Sequence, residues 1–413
     1  MTLADCIQVA LQHNPHTRIS WESSRSALAR VGEKRAAYLP SLAVSAQAAH
    51  GKSPSLDSDT EREAHDTYAA EIDVSYLLLD GGSRRAHVES AEAALLAANF
   101  RHNTTLQNAA LTVEESYYDL LGAQWLLKVM QDTVKRTQYQ LELAQARHKA
   151  GVVTRADVLR AQTQRAEAEL FEVRARNGVR IARGRLANSM GLPVHTAFDI
   201  QGSSDEIQGK QLPRIEQLLD EAATKRPELK AALARIQGNR AELSAVRSES
   251  WPTLSATGSL GKRDTDFVPE EDEWSVGVSV NYSLFDGLDR SYRRRRAHAE
   301  LSRAIAEHAA LLQGIELEVW TSYWKLVETG EAIEAATALA TSAGESARLA
   351  EGEYKTGAIS IVGLIDAQTS QSEAERLLVQ SRLDWYTAKA QFERVVGLTL
   401  AHSTKLSGEK GEE

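Results

Sequence analysis

The chain has 413 residues, a formal net charge of −9, an aromatic content of 6% and only eight prolines. Few aromatics combined with long stretches of Ala, Leu, Glu, Arg and Gln are typical of long helices. The acidic balance argues against nucleic acid as the main partner, and a single cysteine excludes internal disulfides. The sequence also lacks a run of about eighteen apolar residues, so no transmembrane helix is predicted.

The chain is internally duplicated. A first structural repeat over residues 1–192 recurs in the same order over 212–398, with an inter-repeat linker at 193–211 and a C-terminal tail at 399–413. Pro40 matches Pro252 at an offset of 212, whereas Gly151 matches Gly357 at an offset of 206. The change of offset predicts a loop six residues shorter in the second repeat. A duplicated chain is best interpreted one unit at a time.

Each unit begins with a helix, predicted over residues 2–37 in the first repeat, and the helix ends at Leu39-Pro40. Beyond this proline, apolar residues alternate with polar or small residues in two runs of about ten. The clearest run extends from Trp274 to Leu284. This alternation is typical of strands in a membrane β-barrel, although an amphipathic hairpin on a soluble core would give the same pattern.

Aromatic residues on the apolar face favour the membrane interpretation. Tyr68 and Trp274 occupy equivalent positions in the two repeats, and so do Tyr76 and Tyr282, eight residues further along. Eight residues span roughly 20 Å along the membrane normal, which suits two interfacial aromatic girdles. Four strands cannot close a barrel, and open strand edges are not tolerated in lipid, so the sequence predicts an oligomer.

A very long helix follows the strands, predicted over residues 83–149 and about 100 Å long. Apolar or small residues recur at every seventh position in both repeats, which predicts supercoiling against partner helices. These positions are Leu106, Val113, Leu120, Leu127, Val134 and Leu141, and then Leu312, Val319, Leu326, Ile333, Ala340 and Ala347. Gly151 and Gly357 end the long helices, and a helix of about 36 residues is predicted after each.

Six segments stand in a characteristic order: Asn14-Pro15, Leu39-Pro40, Leu79-Asp80-Gly81-Gly82, Phe285-Asp286-Gly287, and the two tip segments 151–159 and 354–360. In these segments and their order the whole chain resembles the TolC family of outer-membrane efflux ducts. The resemblance implies a mixed α/β membrane protein and a homotrimer. Its twelve-stranded β-barrel would lie in outer-membrane lipid of a Gram-negative-type bacterium, continuous with a long periplasmic α-helical barrel. A periplasmic adaptor and an inner-membrane transporter are the implied partners.

The resemblance also implies a gate at the periplasmic tips. Asp157 and Tyr354 correspond to two partners of one closing contact, and Asp366 corresponds to an aspartate of a ring at the entrance. Ile359 stands where the family has an arginine at this gate. The alternative for Asp157 is a helix N-terminal charge favoured by the macrodipole. The tips are also the predicted docking site for the adaptor, at Gly151, Val152, Val153, Gly357, Ala358 and Ile359.

The sequence shows no catalytic, cofactor or metal site. His13 and His16 lie close together at a helix break, but no third ligand is close in sequence. The function predicted is therefore a passive exit duct of a tripartite efflux or type I secretion system, gated by an iris. The alternatives are a soluble coiled-coil scaffold or adaptor, which explains the heptads but not the paired strands, and an enzyme, for which no site is found.

Overall fold

The computed structural model describes residues 1–51, 64–202 and 213–397. Its elements in chain order are α1 (Leu3–His13), α2 (Pro15–Ala36), β1 (Ser41–Gly51), β2 (His65–Leu79), α3 (Ser83–Lys149), α4 (Arg155–Ser189), α5 (Ile215–Lys225), α6 (Pro227–Ser248), β3 (Thr253–Asp264), β4 (Asp272–Asn281), α7 (Asp289–Thr356) and α8 (Ile361–Val396). The same order of six elements therefore occurs twice. The end of the linker, 203–211, and the tail, 399–413, lie outside the described residues.

The helix predicted over residues 2–37 is two helices, because the chain breaks at Asn14. The hydroxyl of Thr2 and the carboxylate of Asp5 form a capping box at the start of α1. Pro15 lacks an amide hydrogen, and its fixed φ suits the first position of a helix, so α2 begins there. Pro227 begins α6 in the same way and lies 212 residues after Pro15. That shared offset was the sequence signal for the break.

The strands form one antiparallel sheet in the order β1-β2-β3-β4. Cross-strand pairs place apolar residues on one face, where Ile72 lies opposite both Val44 and Leu260. On the other face Asp73 lies opposite Ser259. The alternation in the sequence therefore continues across all four strands. Its apolar face is open, since the side chain of Val44 is 79% exposed.

The second hairpin differs from the prediction at one end. Strand β4 ends at Asn281, so Tyr282 and Leu284 lie beyond it. Asn281 pairs with Thr253, the first residue of β3. The preceding residue is Pro252, which has no amide hydrogen to donate, so the ladder stops. Residues 52–64 separate the strands of the first repeat and residues 265–271 those of the second, six residues fewer, as the offsets predict.

The long helices have 67 and 68 residues, and α3 has the bounds predicted from the sequence. All twelve heptad positions are buried or half-buried, which confirms the seven-residue stripe. Helices α4 and α8 have 35 and 36 residues, as expected. Glycines in the left-handed region, Gly151 and Gly357, follow the ends of α3 and α7.

Contacts divide the chain into two compact units that cut across the repeats. The first unit comprises residues 1–21, 101–229 and the chain from 311 onward, and it contains most of each long helix. The second comprises residues 22–100 and 230–310 and contains the sheet. Each repeat contributes to both units because α3 and α7 run from one unit into the other. The compact units are therefore not the repeats.

Residues 193–201, predicted as the start of a linker, are part of a core in the first unit. Phe198 and Ile200 pack against the cluster that includes Leu120 and Leu186. The backbone amide of Gln201 donates to the carbonyl of Met1 at 3.0 Å. This segment therefore covers the N-terminal helix α1 as well as joining the repeats.

Candidate functional site: the two helix tips

The two long helices end in the same turn. At the first tip the amides of Gly151 and Val152 donate to the carbonyls of His148 and Arg147, at 2.9 and 3.0 Å. At the second tip Gly357 and Ala358 repeat this pattern at 3.0 and 2.8 Å. These are Schellman closures, which need a left-handed residue after the helix, and glycine has no Cβ to oppose it. The φ angles of the two glycines are 73° and 85°.

The helices that follow the turns are capped differently. The Thr154 hydroxyl accepts from the Asp157 amide at 3.3 Å, and Asp157 Oδ2 accepts from the Thr154 amide at 2.9 Å. This is a complete capping box at the start of α4. The hydrogen bonds from Thr154 lower the pKa of the Asp157 carboxyl below its usual range. At the second tip Ser360 accepts from the Gly363 amide at 3.4 Å, and glycine has no carboxylate to complete a box.

A buried cluster lies behind the tips. It contains Leu141 of α3, Ala161 of α4, Tyr354 of α7 and Leu364 of α8 among its members. The side chain of Tyr354 is only 2% exposed. Four helices therefore meet at this cluster, and Tyr354 is a buried member of it.

Arg147 is the residue that the sequence analysis missed. Its guanidinium lies over the Tyr354 ring, 4.7 Å from the centroid, and also donates to the Tyr354 carbonyl oxygen. It thus connects the end of α3 to the end of α7 through both ring and backbone. Its counterpart in the second repeat, at the offset of 206, is Glu353. The duplication therefore gave no signal for an arginine here.

The predicted contact between Asp157 and Tyr354 is not formed within one chain. Asp157 accepts its hydrogen bonds from Thr154 through Oδ2, and among the described residues the Tyr354 hydroxyl has no partner. Burial raises the pKa of Tyr354, against the opposing charge of Arg147, and the nearby Asp157 charge acts in the same direction as burial. The hydroxyl therefore stays protonated at neutral pH. The alternative interpretation of Asp157, a charge at a helix N-terminus, describes this structure. Asp366 is exposed on α8, about one turn beyond Gly363.

The predicted docking residues form the outer surface of the tips. Gly151, Gly357 and Ala358 are exposed, Val152 is 62% exposed, and Val153 and Ile359 are half-buried. A Cβ added at Gly151 would meet nothing within 4 Å. At Gly357 it would lie 3.3 Å from a terminal nitrogen of Arg147. The first tip is therefore the more open of the two.

The junctions between strand and long helix also repeat. Asp80 Oδ2 accepts from the Arg84 amide at 2.6 Å, and Asp286 Oδ2 accepts from the Arg290 amide at 3.2 Å. Each arginine in turn donates from its Nε to the same aspartate. The Asp-Gly motifs that carried the family resemblance therefore start the long helices by capping them.

The four predicted interfacial aromatics are not direct neighbours across the sheet. The Tyr68 ring is half-buried and meets Phe267 edge-on, with centroids 5.4 Å apart. Trp274 is 72% exposed and lies opposite Leu260, at the level of Ile72 rather than Tyr68. Tyr76 lies in β2, and Tyr282 follows the end of β4. Their interfacial role stays a prediction.

A cavity of about 420 Å³ lies between α3, α4 and α8. Its lining includes Arg136, whose guanidinium bonds the Glu375 carboxylate at 2.9 Å, and contains neither histidine nor cysteine. Across residues 1–51, 64–202 and 213–397, no three or more His, Cys, Asp or Glu side chains are grouped to hold a metal ion. In the same ranges, no helix combines the length and apolar character needed to cross a membrane.

The duplicated chain combines paired strands, two long helices and capped tips. The family model described as "Outer membrane efflux protein" matches residues 6–192 and 218–398. The chain therefore belongs to the outer membrane efflux protein family, whose members are TolC-like channels rather than enzymes. The protein is located in the outer membrane and extends into the periplasm, which argues against the soluble scaffold.

Individual relatives cover most of the chain. Protein CyaE of Bordetella pertussis is 27% identical over 76% of this chain and 67% of its own length. The toluene efflux pump outer membrane protein TtgC of Pseudomonas putida is 22% identical over 96% of this chain and 82% of its own. The outer membrane protein VceC of Vibrio cholerae has the same fold, with a TM-score of 0.82 at 17% identity, covering 96% of each chain.

Proposed function

We propose that the protein is the exit duct of a tripartite efflux or type I secretion system and conducts substrates passively from an inner-membrane transporter to the exterior. The supporting observation is the four-stranded sheet with one open apolar face, joined directly to helices of 67 and 68 residues that end in capped tips. The relative TtgC, named as the outer membrane protein of a toluene efflux pump, agrees with this role. The energy for substrate movement would come from the transporter, since the duct needs no catalysis or cofactor of its own.

The duct is a homotrimer with a twelve-stranded barrel. Strands β1 and β4 are the edges of the sheet and have no further strand partner among the described residues. Backbone groups on an unpaired edge are not tolerated in lipid, so each edge must pair with another chain. The apolar face would contact lipid, and the polar face with Asp73 and Glu71 would line the lumen.

Two neighbouring positions in β4 test this assignment. Val278 lies on the apolar face opposite Ala256, and Ser279 lies on the polar face opposite Ser255. Val278→Arg should prevent assembly in the membrane, because a charge at the bilayer midplane costs about 2–4 kcal/mol. Ser279→Arg, the matched control, should assemble and change single-channel conductance. Equal tolerance of both variants in membrane fractions would contradict the barrel.

The exposed tips dock the hairpin of a periplasmic adaptor. Gly151→Trp tests this, because the surrounding space is open and the side chain would project outward. Gly151→Ala is the control, since it introduces the same left-handed strain without bulk. We expect Gly151→Trp to abolish transport in cells while the trimer forms, and Gly151→Ala to transport. Full transport by Gly151→Trp would remove docking from this tip.

The gate is a contact between Tyr354 and Asp157 in the closed trimer, with Asp366 providing an acidic ring at the entrance. Oδ1 of Asp157 accepts no hydrogen bond among the described residues, so it can receive the Tyr354 hydroxyl without breaking the capping box. A charge-assisted bond of this kind is worth about 1.5–3 kcal/mol when shielded from water. Three copies would favour the closed iris.

Conductance in planar bilayers tests the gate. Tyr354→Phe should raise single-channel conductance and leave trimer stability unchanged, because the hydroxyl has no partner within one chain among the described residues. Asp366→Asn should leave the resting conductance unchanged and weaken block by divalent and trivalent cations. Wild-type conductance in Tyr354→Phe would show that the gate is elsewhere.

A further inference from the structure

The two junctions between the sheet and the long helices share a backbone turn but differ at one position. In the first repeat the turn contains Gly81 and Gly82, both with a left-handed φ. The equivalent positions in the second repeat, at the offset of 206, are Gly287 and Leu288. Leu288 keeps a left-handed φ of 72°, and among the described residues it is the one residue other than glycine with a positive φ. The second repeat therefore holds a strained leucine where the first has a permissive glycine.

Packing within one chain does not offset this strain. The Leu288 side chain is 56% exposed, and the neighbouring side chains of Leu284, Phe285 and Tyr292 are each more than half exposed as well. The counterpart of Tyr292 in the first repeat is Ala86, which is buried. Strained backbone persists where the surroundings compensate for it, and a contiguous exposed apolar surface marks a contact with another molecule. The compensation for Leu288 therefore lies outside the chain.

Unpaired arginines follow this apolar surface along α7. Residues 293–296 are four consecutive arginines. Arg293 donates to the Glu249 carboxylate at 2.9 Å. Arg294, Arg295 and Arg296 are exposed, and among the described residues none of them has a carboxylate partner. The second junction therefore carries three positive charges that are not neutralised within the chain.

Helix geometry separates the inner side of α7 from its open side. Ala297 is buried and packs in a cluster with Leu243 of α6. At about 100° per residue, Tyr292, Arg295 and Arg296 point away from Ala297. The Arg295 guanidinium lies over the Tyr292 ring, 5.6 Å from its centroid, which agrees with a shared side. An aromatic ring and two cations thus occupy the side of α7 that faces away from α6.

A lipid leaflet matches this combination of an apolar surface and unpaired arginines. Acyl chains cover apolar side chains, and the phosphates at the edge of the leaflet accept charge-assisted hydrogen bonds from guanidinium groups. Side chains on a helix lean towards its N-terminus, so both guanidiniums extend back towards Leu288. A free phosphate would match the arginines but would leave the apolar side chains uncovered. The chemistry therefore favours an anionic phospholipid as the occupant.

We propose that the junction between β4 and α7 is a lipid anchor, in which Leu284, Phe285 and Leu288 insert between acyl chains while Arg295 and Arg296 bind the phosphate of an anionic phospholipid. This proposal rests on the barrel of the proposed function, which puts the junction at the periplasmic leaflet, and it names the lipid partner. The anchor belongs to the second repeat alone, so a trimer carries one at each of its three β4–α7 junctions.

Lipid titration tests the two arginines. The full chain in neutral detergent is titrated with phosphatidylglycerol, and the lipids bound per trimer are counted by native mass spectrometry. Arg295→Gln, Arg296→Gln should bind phosphatidylglycerol about ten-fold more weakly than wild type, because arginines near an anionic lipid surface contribute to affinity. Its binding of phosphatidylcholine, whose headgroup is neutral, should be unchanged. The control, Arg180→Gln, Arg382→Gln, removes the same charge from exposed positions of the first compact unit and should bind phosphatidylglycerol normally.

The outcomes separate the anchor from the duct. An equal loss in both double variants, or wild-type trimers that bind both lipids alike, would overturn the anchor and leave the proposed function standing. Displacement of phosphatidylglycerol by an equal concentration of inorganic phosphate would mean that the arginines bind phosphate alone. Dissociation of the Arg295→Gln, Arg296→Gln trimer would mean that they pair with a neighbouring copy. Wild-type chains that are monomeric in detergent before titration would overturn both proposals.

A second test separates the strain at Leu288 from its lipid contact. In Leu288→Gly the relief of strain offsets the extra chain entropy of glycine, so the variant should melt at the wild-type temperature. Without the apolar side chain, its affinity for phosphatidylglycerol should fall about five-fold. Wild-type affinity in this variant, or a lower melting temperature without a loss of affinity, would show that Leu288 does not contact lipid.

The reverse exchange in the first repeat is the matched control. A Cβ at Gly82 has room, since the nearest atom is the Ser248 hydroxyl oxygen at 3.9 Å. Gly82→Leu should lower the melting temperature through its left-handed φ of 92°. It should gain no affinity for phosphatidylglycerol, because Glu89 and Ser90 occupy the positions equivalent to Arg295 and Arg296. A gain in affinity would show that an exposed leucine alone binds lipid, which would overturn the role of the arginines.

Discussion

The first tip, at Gly151, and the second tip, at Gly357, close with the same backbone hydrogen bonds but hold their following helices differently. At the first tip Thr154 and Asp157 form a full capping box. At the second tip Ser360 caps alone, because Gly363 stands where the first repeat has Asp157. The start of α8 therefore lacks the second hydrogen bond of a capping box, from the Ser360 amide to a side chain three residues later.

The tips also differ in how they end their long helices. Arg147 at the end of α3 reaches across to α7, where it contacts both the ring and the carbonyl of Tyr354. The positions equivalent to these two residues are Glu353 and His148, and both are exposed. The backbone turn is thus common to both repeats because glycine geometry sets it. The side chains differ, so the contact between Arg147 and Tyr354 has no equivalent at the positions of Glu353 and His148.

Removing the contact between Arg147 and Tyr354 should have the largest effect on the local stability of the tips. Arg147→Ala removes one of the two donors to the Tyr354 carbonyl, the other being the Gly357 amide, and uncovers the ring, so we expect a loss of about 2 kcal/mol in local stability. Hydrogen exchange of the amides from 354 to 361 measures it. Glu353→Ala, at the equivalent position of the other tip, is the control and should change little. Similar losses in both variants would show that the tips are not specialised.

Alanine variants of the two turn glycines should differ from each other in stability by less than the Arg147 and Glu353 variants do. Alanine at Gly151 or Gly357 must adopt a left-handed φ, at a cost of about 1 kcal/mol. At Gly357 the new Cβ also approaches Arg147, whose nitrogen lies 3.3 Å away. Thermal unfolding should therefore show Gly357→Ala to be the less stable variant. The opposite order would mean that Arg147 moves aside without cost.

Exchanging the caps should reverse the difference between the tips. Asp157→Ala removes the capping box and should cost about 1 kcal/mol. Gly363→Asp has room for its side chain, since the nearest atom to a Cβ is 3.7 Å away on Ile359, and it should recover a similar amount at the second tip. Exchange rates of the first turns of α4 and α8 report each effect. An unchanged rate in α8 would show that Ser360 alone suffices.

The smallest expected effect is the pH dependence of the first cap. Because the folded pKa of Asp157 is lowered, its contribution is fully present above the ordinary aspartate value of 3.8 and is lost as pH falls through the folded pKa. The difference in melting temperature between wild type and Asp157→Asn should therefore shrink between pH 5 and about pH 3. A difference that is independent of pH would mean that the carboxylate charge does not stabilise the cap.

Most of the fold could be predicted because its signals are local. The bounds of α3 and the turns at Gly151 and Gly357 follow from periodicity and glycine, which act within a few residues, and the shorter second loop follows from comparing the two repeats. The break at Asn14 was missed although Pro15 and Pro227 share the repeat offset. The Tyr354–Asp157 bond, expected from family resemblance, is not formed within one chain, where Asp157 Oδ2 accepts from Thr154 and the Tyr354 hydroxyl has no partner among the described residues.

The sequence by itself determined the repeats, the alternating strands, the heptad stripe and the tip turns, because each depends on hydrogen bonds or side chains that are close along the chain. Only the tertiary structure decided that Arg147 covers Tyr354 and that Tyr118 stacks on Tyr386. It also decided that Trp324, which matches Tyr118 at an offset of 206, is exposed. These contacts join residues more than 200 positions apart. Their partners are chosen by helix packing in three dimensions, and no local pattern in the sequence records that choice.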